Sequence, residues 1–530
     1  MSSQSPPADS PGRTERALRT LLWVEGGLLL VLLLASPFLF SLQADEAWNL
    51  LPIQTLVETG QYTHPAAPPA RMSGGPYVWV QSLLLWLGGD TLPLLRAFPL
   101  LCLLLLLTGL YVWARRHLTS RTAALLAPCV LLATPGTMAL GSAAFAVVPA
   151  TLLLFYGVVA WAEQPGARAA VVAGALFGLA AATRANVGLV FGALLISVLL
   201  TRSARVDLGL AVRATAVGGL LFVSCFAGLA LLGDTNTDVT VSRAVFVTGL
   251  GSDLGIRQWL PKLVMANGFM PVPLLVSASF AAHWIGQRDP ALERATRLLS
   301  CFGWLAWLAW LWIAPLPHLR YLWPSLAAFS ILLGLALASA YDWGARNASA
   351  PVRVAALSIA ASCLALSTAV TYRNLALGDL NFLTWEWAEA APLSTRADFR
   401  LAGKQRRMAR YLRGLPADTE VASLDFALEL EFLSGRRLPT LQELATREAW
   451  RTGERPTLLL TTTHLGRRGQ LHPSAGPYLR EHGALEARFG PYALWRVNGP
   501  FPTDLGILQF SVGPPQPYAG WPRRTPGDSE

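Results

Sequence analysis

Charge is scarce in this sequence. Charged residues make up 14% of its 530 positions, whereas an ordinary soluble domain carries about a quarter. A soluble chain of this length could not cover its surface with so few. Lysine is almost missing, with only Lys262 and Lys404 present. The five cysteines, Cys102, Cys129, Cys225, Cys301 and Cys363, all lie inside apolar blocks. None is placed to staple a secreted domain, and they read as small core residues rather than metal or redox ligands. No basic stripe with interleaved aromatics accompanies the net charge of +10, which argues against a nucleic-acid partner. Internal repeats are also lacking, and apart from Glu25 the apolar blocks carry almost no charge near their middles. Both absences count against a transporter.

What the chain has is hydrophobic residues, 53% of the total, gathered into blocks. The blocks at 21–42, 92–113, 123–140, 147–162, 169–182, 187–200, 211–232, 263–285, 298–314, 321–341 and 354–372 give about eleven candidate spans of a hydrocarbon core about 30 Å thick. Backbone groups in lipid must bond within their own segment, so the blocks are helices. The first is too long for a signal-peptide core and lacks a small-residue cleavage site, which makes it a retained anchor. Arginines cluster at alternate block ends: Arg13, Arg16 and Arg19, then Arg115, Arg116 and Arg121, then Arg168, then Arg202, Arg205 and Arg213, then Arg288, Arg294 and Arg297, then Arg346 and Arg353. By the positive-inside rule these loops and the N-terminus are cytoplasmic.

The expected fold is a mostly α, polytopic transmembrane helix bundle with a small extracytoplasmic C-terminal α/β domain. Residues 1–20 are a Pro/Ser-rich cytoplasmic lead, and 21–372 form the membrane domain, with long outer loops at 43–91 and 233–262. Within the first loop, 46–58 and 76–87 have amphipathic helical character suited to the membrane surface. An odd number of spans puts 373–498 outside, with helices at 401–412 and 441–450 and strands at 421–424 and 457–463. Residues 499–530 are a Pro/Gly-rich tail.

Asp45 and Glu46 stand where the first block ends. Adjacent carboxylates at a membrane boundary carry a desolvation cost, so they are either an acidic pair that keeps the helix from sliding inward or a functional pair. Their surroundings favour function. Ala44-Asp45-Glu46-Ala47-Trp48 leads to Leu56-Val57-Glu58-Thr59-Gly60-Gln61-Tyr62, then to Ser73-Gly74-Gly75-Pro76-Tyr77-Val78-Trp79, and finally to Leu95-Arg96-Ala97-Phe98-Pro99. Further on come Ala182-Thr183-Arg184-Ala185-Asn186 and Pro317-His318-Leu319-Arg320-Tyr321. This ordered set, over roughly residues 20–345, resembles the C-type (GT-C) glycosyltransferases that use polyprenyl-phosphate sugars. The groups concerned are the protein O-mannosyltransferases, the lipid A aminoarabinose transferase and the Rgt-like bacterial transferases.

The resemblance implies transfer of a sugar from a polyprenyl-phosphate donor to an acceptor hydroxyl at the outer face of the membrane, with inversion. Asp45 is then the candidate general base, with Glu46 orienting it or binding the acceptor. Arg320 and His318 are candidates for the donor phosphate, with Arg184, Lys262 and Arg257 behind them. Arg320 and Arg184 read equally well as interfacial anchors, and His318 as a loop histidine. One departure stands out. The lipid A-modifying relatives carry a second aspartate just before a proline, where this chain has Phe145-Ala146-Val147-Val148-Pro149, so the acid chemistry falls on Asp45 and Glu46. No metal ligand set is identified, and a divalent cation, for which Asp234 and Asp238 have no diagnostic spacing, is not demanded. The expected partners are the lipid-linked donor, a glycan, lipid or protein acceptor and membrane lipid. The Ala/Arg/Leu bias points to a bacterial inner membrane. A flippase of lipid-linked sugars and a non-catalytic member of the same fold are the alternatives.

Overall fold

The apolar blocks fold as helices, and charged or hydroxyl side chains tie their ends together. The structure, a computed structural model, describes residues 12–39, 42, 44–63, 74–88, 92–134, 136–163, 166–200, 204–232, 276, 279, 289–312, 319–377, 400–423, 427–439, 457–462, 475–490 and 492–498. These residues fall into two compact units, one within Met1–Thr248 and Gln258–Gly403, the other within Gly249–Arg257 and Lys404–Glu530. The loop at 233–262, the helix at 441–450, the tail at 499–530 and all of the span at 263–285 except Val276 and Ser279 lie outside the described residues.

The first unit is helical: α1 (Arg13–Leu39), α2 (Ala44–Thr59), α3 (Gly75–Gly88), α4 (Leu92–His117), α5 (Arg121–Leu132), α6 (Thr137–Ser142), α7 (Val147–Glu163), α8 (Ala167–Thr183), α9 (Leu189–Leu199), α10 (Ala204–Leu232), α11 (Pro290–Trp312), α12 (Leu319–Arg346) and α13 (Ala350–Leu377). Among the described residues five helices are long and apolar enough to cross a membrane, and shorter apolar helices accompany them. α12 is the axis of the bundle: 89% of its apolar stretch is buried, against 17% for that of α10. The outer helices instead expose Trp23, Val31, Leu101, Leu220 and Leu366, as a lipid-facing surface requires.

One expected span is interrupted. The block at 123–140 is not a single helix: α5 stops at Leu132 and α6 restarts at Thr137. The Pro135-Gly136 dipeptide is the cause. Proline cannot extend the ladder, and Gly136 takes φ +84°, a left-handed conformation that favours glycine. Thr137 Oγ donates to Leu131 O at 3.0 Å, adding a side-chain bond to a carbonyl that also takes the Thr134 N–H at 3.1 Å and tying the start of α6 to the end of α5.

At the end of the bundle that holds the N-terminus of α1, ion pairs join elements far apart in sequence. Glu15 on α1 accepts from Tyr341 Oη at 2.5 Å, pairs with Arg353 on α13 at 3.2 Å, and is bonded by Arg19. Asp342 on α12 accepts from the backbone N–H of Thr119 and Ser120 at 3.0 and 2.9 Å, fixing the α4–α5 turn. His117, closing α4, stands between two carboxylates, Asp289 at 2.7 Å and Glu163 at 3.2 Å. Asp289 also caps α11 through Ala291 N–H at 2.8 Å. The N-termini of α1, α5, α11 and α13 therefore meet the C-termini of α4, α7 and α12, which is the alternation that successive spans demand.

Partial burial raises the Asp289 carboxyl, but the His117 bond, the Ala291 and Leu292 N–H groups and the charge of His117 outweigh it and leave the group below its usual range. A depressed carboxyl stabilises the fold above its unfolded pKa and loses that contribution as pH falls through the folded value. Asp289→Asn is therefore expected to lower the melting temperature at pH 7. The gap to wild type should narrow below about pH 4, as followed by thermal unfolding in detergent.

The tightest packing is between α8 and α10. A Cβ built on Gly174 would stand 2.3 Å from Ala214 O, one on Gly178 2.4 Å from Gly218 O, and one on Gly218 2.6 Å from Gly174 O. Backbones approach this closely only where no side chain intervenes. Gly178→Leu should destabilise by at least about 1–3 kcal/mol. Gly219→Ala, where nothing lies within 4 Å, should leave the melting temperature unchanged.

The second unit contains α14 (Arg400–Gly414, entering from the first), β1 (Val421–Ser423), α15 (Leu428–Ser434), β2 (Thr457–Thr462), α16 (Ala475–His482), β3 (Gly483–Phe489) and β4 (Tyr492–Val497). The sheet order is β1-β2-β4-β3, with β1 parallel to β2 and the other pairs antiparallel. Met408, Ala409 and Leu412 of α14 are buried, as are Leu458, Leu459 and Leu460 of β2 and Leu494 of β4.

Candidate active site

The opposite end of the bundle carries the acidic pair. Chain ends and prolines leave backbone groups there without helical partners, and buried side chains supply the missing bonds. Glu46, in the first turn of α2, is fully buried, as is Arg96 in the second turn of α4. The guanidinium grips the carboxylate with two parallel bonds, Nε to Oε1 at 2.9 Å and Nη2 to Oε2 at 2.5 Å. This bidentate geometry suits a desolvated pair. Arg96 Nη1 also donates to Pro37 O at 3.3 Å, a carbonyl in the last turn of α1 that has no helical donor. Glu46 Oε1 further accepts from Ala144 N–H at 2.6 Å. One ion pair thus joins the end of α1, the start of α2, the body of α4 and the α6–α7 turn.

α3 completes this region. Tyr77 Oη donates to Ala144 O at 2.5 Å. Burial, with the neighbouring Glu46 charge second, holds the Tyr77 phenol well above its ordinary range, so it remains a donor. Gln81 Nε2 donates to Leu95 O at 2.9 Å. Pro99 explains that bond: it lacks the N–H that would otherwise reach back four residues to Leu95, and Gln81 supplies the donor. Gly74, at φ +120°, donates its N–H to Ala182 O at 2.8 Å, and a Cβ on Gly75 would stand 3.1 Å from that of Cys225. The two glycines let α3 lie directly against α8 and α10. Tyr62, which burial pushes above its ordinary range, anchors the chain after α2 by an N–H bond to Leu232 O at 2.6 Å.

Two residues beyond Ala182, Arg184 closes α8 in extended backbone and places its guanidinium over the Tyr321 ring, 5.4 Å from the centroid. Asn186 Nδ2 donates to Tyr321 O at 3.2 Å. The α8 turn is thereby fixed to the first turn of α12, which contains Arg320. Hydrogen bonds and ring contacts, joined by short stretches of chain at 74–77 and 182–184, connect Glu46 through Ala144, Tyr77, Gly74, Ala182 and Arg184 to Tyr321.

Of the residues singled out in the sequence, Asp45 lies in the first turn of α2 beside Glu46, and Arg184 and Arg320 come to one corner. His318, Lys262 and Arg257 lie outside the described residues. Among the described residues no three His, Cys, Asp or Glu side chains converge on a point. Sequence reasoning passed over what Arg96, Tyr77, Gln81 and Asn186 do. Arg96 carried a readable signal, since a lone arginine inside an apolar helix needs a buried partner.

No protein-family model and no curated protein matches the sequence. Solved structures do match in fold. ArnT from Cupriavidus metallidurans, bound to undecaprenyl phosphate, superposes with a TM-score of 0.60 at 16% identity, over 89% of this chain and 97% of that one. Its apo state gives 0.58 at 15% identity, over 90% and 98%. The archaeal oligosaccharyltransferase AglB from Archaeoglobus fulgidus, in complex with an inhibitory peptide and a dolichol-phosphate, gives 0.48 at 11% identity, over 93% and 76%. The chain has the GT-C fold.

Proposed function

We propose that this chain is an integral membrane glycosyltransferase that moves a sugar from a polyprenyl-phosphate donor to an acceptor hydroxyl at the outer face of the membrane, inverting the anomeric carbon. The observation that supports this most is the likeness in fold to nearly the whole of ArnT, a protein solved with undecaprenyl phosphate bound. In this reading the acceptor oxygen attacks the anomeric carbon and its proton passes to Asp45. The bond from that carbon to the phosphate oxygen breaks, and its electron pair leaves with the lipid phosphate. A base within hydrogen-bonding reach is what such an attack requires.

Glu46 has a separate task. Its carboxylate is engaged by Arg96 and Ala144. Of the two roles left open by the sequence, orienting Asp45, by holding the first turn of α2 in place, is therefore favoured over binding the acceptor. Cations near the departing phosphate stabilise its developing charge, a role assigned here to Arg320, His318 and Arg184, with Lys262 and Arg257 as further candidates. The corner formed by Arg184 and Tyr321, with Arg320 in the same turn of α12, supports the assignment of Arg184 and Arg320.

The test uses the full chain in lipid nanodiscs with labelled polyprenyl-phosphate sugars, together with mass comparison of envelope glycoconjugates from cells with and without the protein. Sugar transfer should release the lipid phosphate and add one sugar residue to a single class of acceptor. Movement of intact lipid-linked sugar across the bilayer without cleavage of its glycosyl–phosphate bond would instead make the chain a flippase.

A further inference from the structure

Three donors of the α3 segment reach backbone carbonyls of other elements. Gly74, the residue before α3, gives its N–H to Ala182 O in the last turn of α8 at 2.8 Å. One turn on, Tyr77 Oη donates to Ala144 O between α6 and α7 at 2.5 Å. A further turn on, Gln81 Nε2 donates to Leu95 O of α4 at 2.9 Å. Tyr77 and Gln81 are both buried, so bulk water does not stand in for either bond.

The first two bonds lead to different halves of the site. Ala144 N–H is held by Glu46 Oε1 at 2.6 Å, and Glu46 follows Asp45 in the first turn of α2. Ala182 stands two residues before Arg184, whose guanidinium lies over the ring of Tyr321, the residue after Arg320. The stretch from Gly74 to Tyr77, a single helical turn, therefore ties the segment with the candidate base to the segments with two candidate phosphate cations. The Arg96 bonds to Glu46 and Pro37 O serve a different link, from α2 and α1 to α4. In-line displacement puts the acceptor oxygen, the anomeric carbon and the phosphate oxygen on one line, with a base at one end and cations at the other. The reaction fixes that span, and the protein must hold it.

We infer that Tyr77 is a positioning residue for sugar transfer, with the first turn of α3 as the spacer that sets the distance from Asp45 to the phosphate cations. The inference rests on the reading of Asp45 as the base and extends it to how that base is held. Without the Tyr77 hydroxyl, the Ala144 turn loses this bond to α3, and α2 keeps its hold on α4 but not on the spacer. A displacement of about 1 Å at a reacting centre can cost about 10²-fold in rate.

Tyr77→Phe removes the hydroxyl and keeps the ring, which stands 6.2 Å from that of Phe98. Full-length protein in lipid nanodiscs is measured in two ways. Hydrogen–deuterium exchange, followed by mass spectrometry without substrate, should quicken about tenfold at 44–50 and 143–147. It should stay unchanged at 117–123, in the α4–α5 turn at the other end of the bundle. Transfer from a labelled polyprenyl-phosphate sugar, taken per folded molecule well below the melting temperature, should show kcat lower by about 10–100-fold with KM within about twofold. In an Asp45→Asn background the same change should cost less than about twofold, because no base is left to position.

Unchanged exchange at 44–50 would overturn the inference, because Tyr77 would then not hold α2. So would an equal loss of transfer with and without Asp45, or a rise in KM with kcat intact, since either gives Tyr77 a part that does not run through the base. Full transfer by Asp45→Asn alone, or no transfer by the wild type, removes the base reading and this inference with it. The exchange data separate the two failures: quickened exchange at 44–50 with a fully active Asp45→Asn protein would leave Tyr77 as a structural support alone.

Discussion

Replacing Asp45 with asparagine should reduce sugar transfer by about 10²–10⁴-fold while leaving the protein folded. The exchange keeps size and shape and removes the capacity to take a proton. The next residue ties the first turn of α2 to its surroundings: Glu46 bonds Arg96 at 2.9 and 2.5 Å and accepts from Ala144 N–H at 2.6 Å. Thermal stability and donor binding should therefore survive, and the loss should appear in turnover. Single-turnover release of the lipid phosphate separates these quantities. Transfer at the wild-type rate in Asp45→Asn would remove Asp45 as the base and move attention to a carboxylate outside the described residues, such as Asp234 or Asp238.

The second large effect is on stability. Arg96→Ala leaves the Glu46 carboxylate in a fully buried place without its guanidinium, and removes the donor to Pro37 O. Losing one partner of a buried pair costs about 3–5 kcal/mol. Arg96→Lys should recover only part of this, because an ammonium cannot make two parallel bonds to one carboxylate. The paired change Glu46→Met with Arg96→Met should come much closer to wild type in melting temperature, since it leaves no stranded charge. A thermal melt of all three variants in detergent decides the matter. If Arg96→Ala melts with the wild type, the ion pair does not hold the loop.

Much of this architecture was legible in the sequence because lipid simplifies the code. An apolar block must be a helix, and arginine loops fix its direction, so the antiparallel order of α4, α5, α7, α11, α12 and α13 followed from composition alone. α2 and α3 stand where helices were expected, at 46–58 and 76–87. Long-range polar pairing was not. Nothing near Arg96 in the chain announces Glu46, because the pairing is a product of helix packing. Gln81 looked like an ordinary polar residue until Pro99 was found to have removed the donor to Leu95. The break between α5 and α6 was missed for a different reason: the apolar pattern runs on through Pro135-Gly136, and hydropathy outweighed a turn signal that backbone geometry obeys. β3 and β4 were also passed over, since the face pattern of β3 leaves Leu485 exposed and gives little alternation to detect.

The Glu46–Arg96 pair also has a consequence for how the chain is made. Its acidic half is synthesised before its basic half, and the Ala144 amide that adds the third bond comes later still. A chain emerging from the ribosome with α1 inserted and α2 complete carries a carboxylate that has no counter-charge, so α2 has no reason to bury it. Only when α4 arrives can the loop turn inward, and only after the α6–α7 turn forms is it closed. The end of the bundle that holds Glu46 is therefore assembled by its second span, not its first, and a chain halted before α4 would leave Glu46 at the water boundary.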